Sequence, residues 1–295
     1  MNIGYQSDVG AIKRIVLKHA RDAFVAGSAI GRQWRPLGYA GPPDFERAVT
    51  EYDGFVSLLR RFDMDIAFLP LDPHTGLDSI YTRDAFIVCD KGVILCNMAK
   101  VERRDEPAAV ETALGEMDLT LHGRVDGAGH IEGGDVVWID EQTLAVGSGY
   151  RTNDAGIRQV RQLLGGCIAE LIVVPLPHWR GPQDVFHLMS ILSPIDRDLA
   201  LVYSPLLPVR FREALLSRGI ELIDVAGDEF DTMACNVLAV APRTCVMLPG
   251  NPSTRSRLEA AGVEVHEFEA SEISLKGAGG PTCLTRPILR EYPAD

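Results

Sequence analysis

Four short segments of this 295-residue sequence place polar or titratable side chains where an apolar strand or a tight loop would otherwise run. They are DSIYTRD at 78–84, HIEGGD at 130–135, FHLMS at 186–190 and GGPTC at 279–283. Together they offer a thiol, an imidazole and carboxylates. A thiolate attacks an electrophilic carbon, an imidazole protonates the leaving group and then activates water, and carboxylates hold a cation. No second His or Cys is spaced to complete a metal site, so the expected chemistry is metal-free and cofactor-free.

Each residue also has an ordinary structural explanation. A histidine beside a strand, as His187 is, commonly sits satisfied and half-buried, and Glu132 to Asp135 reads equally well as a turn with bulge glycines. Asp84 next to Arg83 could be a cap or a surface pair, and Arg103 and Arg151 could be solvated. The functional reading of those two arginines is a guanidinium fork on a substrate carboxylate, with Asn153-Asp154 as a helix N-cap behind Arg151. His19, His74, His122, His178 and His266 are assigned structural or solvated roles. Of the six cysteines, 89, 96, 167, 235 and 245 read as small buried hydrophobes, whereas Cys283 follows Gly277, Gly279, Gly280 and Pro281 in a loop.

The elements that must position these segments recur. A unit of two short strands about a polar turn, a helix and a further apolar strand appears four times, with turns centred on Lys91, Glu141, Arg197 and Arg243, which are 50, 56 and 46 residues apart. The hairpins begin at Ala85, Val136, Ser190 and Val237; the helices cover 107–117, 154–164, 209–218 and 253–261. A less regular first unit is assembled from 15–17, a helical 45–62 and 66–69. Gly165-Gly166, Gly219 and Gly262 stand where helices must stop. Five similar α/β units suggest radial closure into a propeller-like ring; two α/β domains with a crevice is the alternative. The chemical segments precede the first strand of a unit or, for Cys283, follow the last unit. In a ring such equivalent positions converge on the axis.

Composition agrees with a soluble globular chain, 46% hydrophobic and 24% charged. A net charge of -12 without a basic run argues against nucleic acid or an anionic membrane as partner. No basic-then-apolar leader is present at the start, so a cytoplasmic location is expected. Symmetric dimers being the commonest assemblies, a homodimer is the expected oligomer. The segment 26–43, ending in Gly41-Pro42-Pro43, reads as the loop that closes the pocket.

In order and spacing, the acidic pair, the EGGD run, the strand-edge histidine and the Gly-rich loop with a near-terminal cysteine resemble the guanidino-group-modifying (pentein) superfamily. That superfamily includes dimethylarginine dimethylaminohydrolases, arginine deiminases and amidinotransferases. The resemblance implies a five-bladed α/β propeller of ββαβ repeats with pseudo-fivefold symmetry, a single catalytic domain over 1–295, and a small guanidino substrate. It further implies Cys283 as nucleophile, His187 as general acid/base, Glu132 and Asp84 as carboxylates on the guanidinium, Asp78 as a substrate contact, and Arg103 and Arg151 on the amino acid's carboxylate.

The short chain, the Arg-Thr-Asn at 151–153 and the Thr before Cys283 are similar to the dimethylargininase branch. Two departures blur it. Met189 stands where deiminases and amidinotransferases have Asp and dimethylargininases tend to have Lys, and Arg83 follows the deiminase pattern. Losing that Asp weakens the grip on an unsubstituted guanidinium nitrogen. The expectation is a cysteine-dependent hydrolase of a methylated arginine acting through a covalent thiouronium; amidino transfer, arginine deimination and a non-catalytic binding protein of the same fold are the alternatives.

Overall fold

The computed structural model describes residues 6–184 and 186–291. Five three-stranded sheets surround an axis. Four follow the chain: β3 (Phe86–Cys89), β4 (Gly92–Leu95) and β5 (Leu121–Arg124); β6 (Val136–Asp140), β7 (Thr143–Ser148) and β8 (Glu170–Pro175); β9 (Leu192–Asp196), β10 (Leu199–Val202) and β11 (Glu221–Asp224); β12 (Leu238–Ala241), β13 (Thr244–Met247) and β14 (Glu264–Glu267). In each, the first two strands form an antiparallel hairpin and the third adds in parallel. A parallel return needs a crossover, and α4 (Glu106–Ala113), α5 (Asp154–Leu164), α6 (Val209–Ser217) and α7 (Pro252–Ala260) supply it. The result is the five-bladed ββαβ propeller the repeats imply.

The fifth sheet joins the two ends of the chain. β1 (Ala11–Leu17) pairs in parallel with β2 (Asp65–Phe68) across α1 (Ala20–Phe24), α2 (Gly27–Leu37) and α3 (Phe45–Leu59), and antiparallel with β15 (Thr285–Glu291). The strand after Cys283 is therefore the first strand of the first unit. Cys283 does not trail the last unit; it occupies the same place in its repeat as the other site segments.

Two local expectations change. The stretch 26–43 contains a helix rather than an open loop, because Ile30, Trp34 and Leu37 share one face and dock on the core, and Gly38 ends the helix at φ 83°. The third unit begins at β9, not at Ser190: 188–190 form a 3-10 turn closed by the His187 amide donating to Ser190 Oγ at 3.1 Å. Gly219 and Gly262 lie two residues past the ends of α6 and α7 at φ 77° and 80°, where a side chain would be strained. The apolar cores lie between neighbouring blades, for example Ile87, Ile94, Val136, Trp138 and Val160. Among the described residues no helix is long and apolar enough to cross a membrane.

Candidate active site

The segments before the first strands are hydrogen-bonded to one another around the axis. Arg83 donates its amide to Cys283 O at 3.2 Å, and Gly133 its amide to Asp84 O at 2.9 Å. Leu188 donates to Asp135 Oδ1 at 2.9 Å, Val237 to Ser193 Oγ at 3.1 Å, and Thr282 to Asn236 Oδ1 at 3.1 Å. This circuit brings Cys283, Asp84, Glu132, His187 and Asn236 together from five blades.

Glu132 and His187 are the centre of the charge network. Nε2 of His187 lies 2.9 Å from Glu132 Oε2, and Nδ1 lies 3.8 Å from Asp84 Oδ1. Burial alone would lower the imidazole; the charges of Asp84 and Asp135 and the bond to Glu132 outweigh it and raise His187 to about 9. Glu132 is fully buried, which opposes its charge, yet the His187 hydrogen bond and the His187 and Arg151 charges hold it down at about 2. At neutral pH the pair is an imidazolium and a carboxylate. Asp135, pushed up by burial to about 6, accepts from Thr152 Oγ1 at 2.6 Å and so fixes the segment that carries Arg151.

This contact requires Gly134. A Cβ there would fall 2.5 Å from His187 Nδ1 and 2.8 Å from Asp84 Oδ1, so the second glycine of EGGD is the gap in which imidazole and carboxylate approach. Its own amide donates to Asp84 Oδ1 at 3.1 Å.

The two arginines differ. Arg103 is buried with all three guanidinium nitrogens engaged: Nη1 to Asp84 at 2.6 Å, Nε and Nη2 to Glu106 at 2.9 and 2.8 Å, and Nη2 to the carbonyls of Tyr81 and Asp78. It presents no free fork to a substrate carboxylate, against expectation, because two buried carboxylates already take it. Arg151 donates to Glu132 Oε2 at 3.2 Å. Asp78 is paired with Lys100 at 2.6 Å, and Lys100 also donates to Leu37 O on α2. Lys100 carries no motif that would single it out in the sequence. Arg83 pairs with Asp8 at 2.6 Å.

Cys283 is half-buried and accepts a hydrogen bond from Asn236 Nδ2 at 3.1 Å. Burial and the nearby Asp84 charge push its thiol up to about 11. Cys89, Cys96, Cys235 and Cys245 are buried as expected, while Cys167 is only half-buried. The remaining histidines make other contacts, as His19 does with Asp53 at 3.1 Å.

Cys283 and His187 stand between two spaces. On one side is a cavity of about 230 Å³ whose walls include Trp179, Phe186, Met189, Phe230 and Asn236. On the other is a recess of about 20 Å³ bounded by Asp78, Asp84, Arg103 and Arg151. The lining of the larger cavity includes Trp179, Arg180, Asp184 and Phe186 and no described residue of 26–43. Ligand atoms of Asp84, Glu132 and His187 lie within 4.8 Å of one another and could surround one cation. A metal ion there would displace the imidazole proton and face Arg103 and Arg151, whereas a planar monocation needs only the carboxylates.

Comparison with known proteins finds relatives over most of the chain. An uncharacterised protein of Bacillus subtilis (strain 168), YkgA, is 29% identical over 244 residues, covering 82% of this chain and 80% of its own. The arginine deiminase of Rhodococcus erythropolis is 27% identical over 81% of this chain, which spans only 65% of the deiminase. The N(G),N(G)-dimethylarginine dimethylaminohydrolase of Pseudomonas aeruginosa is 25% identical over 84% of this chain and 91% of its own. A structure of dimethylarginine dimethylaminohydrolase from P. aeruginosa in complex with citrulline superposes with a TM-score of 0.74, covering 93% of this chain and 98% of that one at 22% identity, a likeness of fold. The family model for N,N dimethylarginine dimethylhydrolase, eukaryotic, matches residues 43–290, and the chain belongs to that family within the pentein superfamily.

Proposed function

We propose that this chain hydrolyses the guanidino C–N bond of an N-substituted arginine, a methylated arginine first, giving citrulline and an amine. The observation that carries the reading is the junction at Cys283: a thiol and an imidazolium share one cavity wall while two buried carboxylates, Asp84 and Glu132, flank the imidazolium. A thiol protease would aim hydrogen-bond donors at an oxyanion; carboxylates in that place repel one and suit a cation. The dimethylarginine dimethylaminohydrolase and arginine deiminase relatives support the same reaction class.

The bound guanidinium favours ionisation of the Cys283 thiol by its positive charge. Sγ attacks the central carbon and forms a C–S bond. His187 gives a proton to the departing nitrogen as the C–N bond breaks, leaving an S-thiouronium. Water then attacks the same carbon, His187 takes its proton, and the C–S bond breaks to release the ureido product and the thiolate. Asp84 and Glu132 hold the guanidinium nitrogens, and Asp78 and Arg151 border the recess beside them. Arg103 serves as the counter-ion of Asp84. Met189, 3% exposed and on the cavity wall, supports a substituted nitrogen, since a thioether accepts an alkyl group where a carboxylate would demand N–H donors.

The test is turnover of arginine, mono- and dimethylarginines, agmatine and short guanidino acids by the wild type and Cys283→Ser, scoring ureido product, amine and intact-mass adduct. Methylarginine turnover lost in the variant is expected. A folded wild type that yields neither product nor adduct across the panel would sink the hydrolase reading.

A further inference from the structure

The blade β12–β14 has no assigned part in the chemistry, although its entry segment reaches the axis like the other four. The residue two positions before its first strand is Asn236, as Asp84 is two before β3 and Cys283 two before β15. We propose that Asn236 is a catalytic residue of this site, whose side-chain amide donates a hydrogen bond to the Cys283 sulfur and stabilises it as the thiolate nucleophile. The proposal rests on the reading of Cys283 as the nucleophile.

The orientation of the amide is fixed by its other end. Thr282 donates its backbone N–H to Asn236 Oδ1 at 3.1 Å, so that atom is the carbonyl and the NH2 group must be the one 3.1 Å from Sγ. Asn236 is 6% exposed, its backbone N–H donates to Met233 O, and it lines the cavity that Cys283 faces. Gly280 makes room for it: a Cβ there would lie 2.6 Å from Asn236 Oδ1. Burial and the Asp84 charge hold the proton on Sγ, while the Asn236 bond, foremost, and then a backbone hydrogen bond at Gly280 and the Arg83 charge act in the opposite sense. An N–H donor bonds far more strongly to a thiolate than to a thiol, so its effect falls on the ionised state that attacks.

Asn236→Asp separates this role from a structural one. The substitution is nearly isosteric and keeps an oxygen for Thr282 N–H, but puts a carboxylate where the donor was; Asn236→Ala removes both contacts. The readout is the pH profile of iodoacetamide alkylation at Cys283, resolved by peptide mass, with half-buried Cys167 as the internal control. Loss of a hydrogen bond to a charged group corresponds to about one to two pKa units, or ten- to a hundredfold slower alkylation at a given pH. The expected result is an upward shift of at least that size in Asn236→Asp, a smaller one in Asn236→Ala, an unchanged Cys167 rate, and a parallel fall in kcat/KM. An unshifted profile in Asn236→Asp overturns the proposal, including the case where Asn236→Ala alone is impaired, which leaves a loop anchor. Because alkylation needs no substrate, failure of the hydrolase reading shows separately, as a folded wild type that yields neither product nor adduct across the guanidine panel.

Discussion

Replacing Arg103 by methionine separates two roles that one arginine could play here. As a counter-ion it holds Asp84 at 2.6 Å and Glu106 at 2.8 Å while 3% exposed; as a substrate clamp it would have to release them. Methionine fills much of the stem but leaves two buried carboxylates without their cation. Removing one partner of a buried pair costs roughly 3 to 5 kcal/mol. For a chain of this size that is about 6 to 20 °C in melting temperature. Burial already pushes Glu106 up to about 7 with Arg103 beside it, and without the cation it rises further. A carboxylate whose folded pKa is raised contributes stability only below its unfolded value and loses it as pH climbs towards the folded one. The wild type's own loss ends near pH 7, so the deficit of the variant opens above about pH 7 and is larger at pH 8 than at pH 6, by up to about 1.4 kcal/mol per pH unit for Glu106. Urea melts at both pH values measure this, and KM for a carboxylate-bearing guanidine against a decarboxylated one measures the other role. Arg103→Met melting within about 2 °C of the wild type while losing affinity only for the carboxylate-bearing substrate would refute the counter-ion argument.

Other consequences follow from the same geometry. With the Cys283 thiol at about 11 and His187 at about 9, the reactive thiolate–imidazolium form of the free enzyme has lost one proton in total, so kcat/KM should rise about tenfold per pH unit below 9, level off, and fall beyond 11. A profile already flat between pH 6 and 8 would contradict that order of ionisation. Gly134→Ala should fold yet lose on the order of a hundredfold in kcat, because the new methyl group must displace His187 or Asp84 and a shift of about 1 Å is enough for such a loss; steady-state kinetics on protein with a wild-type melt decides it. Met189→Asp should move the ratio of kcat/KM for arginine to that for dimethylarginine upward by about tenfold, one added charge-assisted bond's worth, and an unchanged ratio would remove Met189 from substrate selection.

What could be read in the sequence, and what could not, divides along the range of the interactions involved. Helices and hairpins are set by local periodicity and glycine stops, so α5 spans 154–164 as expected and Asn153 caps it, its Oδ1 accepting from Gly156 at 2.9 Å. The helix over 27–37 escaped because Gly27, Gly31 and Pro36 lower its propensity, and only the tertiary docking of Ile30 and Leu37 restores it. The partners of Arg103 and Lys100 were illegible for another reason: Asp84 and Asp78, 19 and 22 residues away, become their neighbours only after the blade has folded. Asn236 lay between the two cases. Segments ahead of first strands were expected to meet on the axis, and the fourth unit has such a segment, but Ala-Cys-Asn carries no charge to mark it. Its role becomes visible only once β15 is known to complete the first blade, because that closure makes Cys283 a pre-strand residue and sets its sulfur against the neighbouring blade's pre-strand amide.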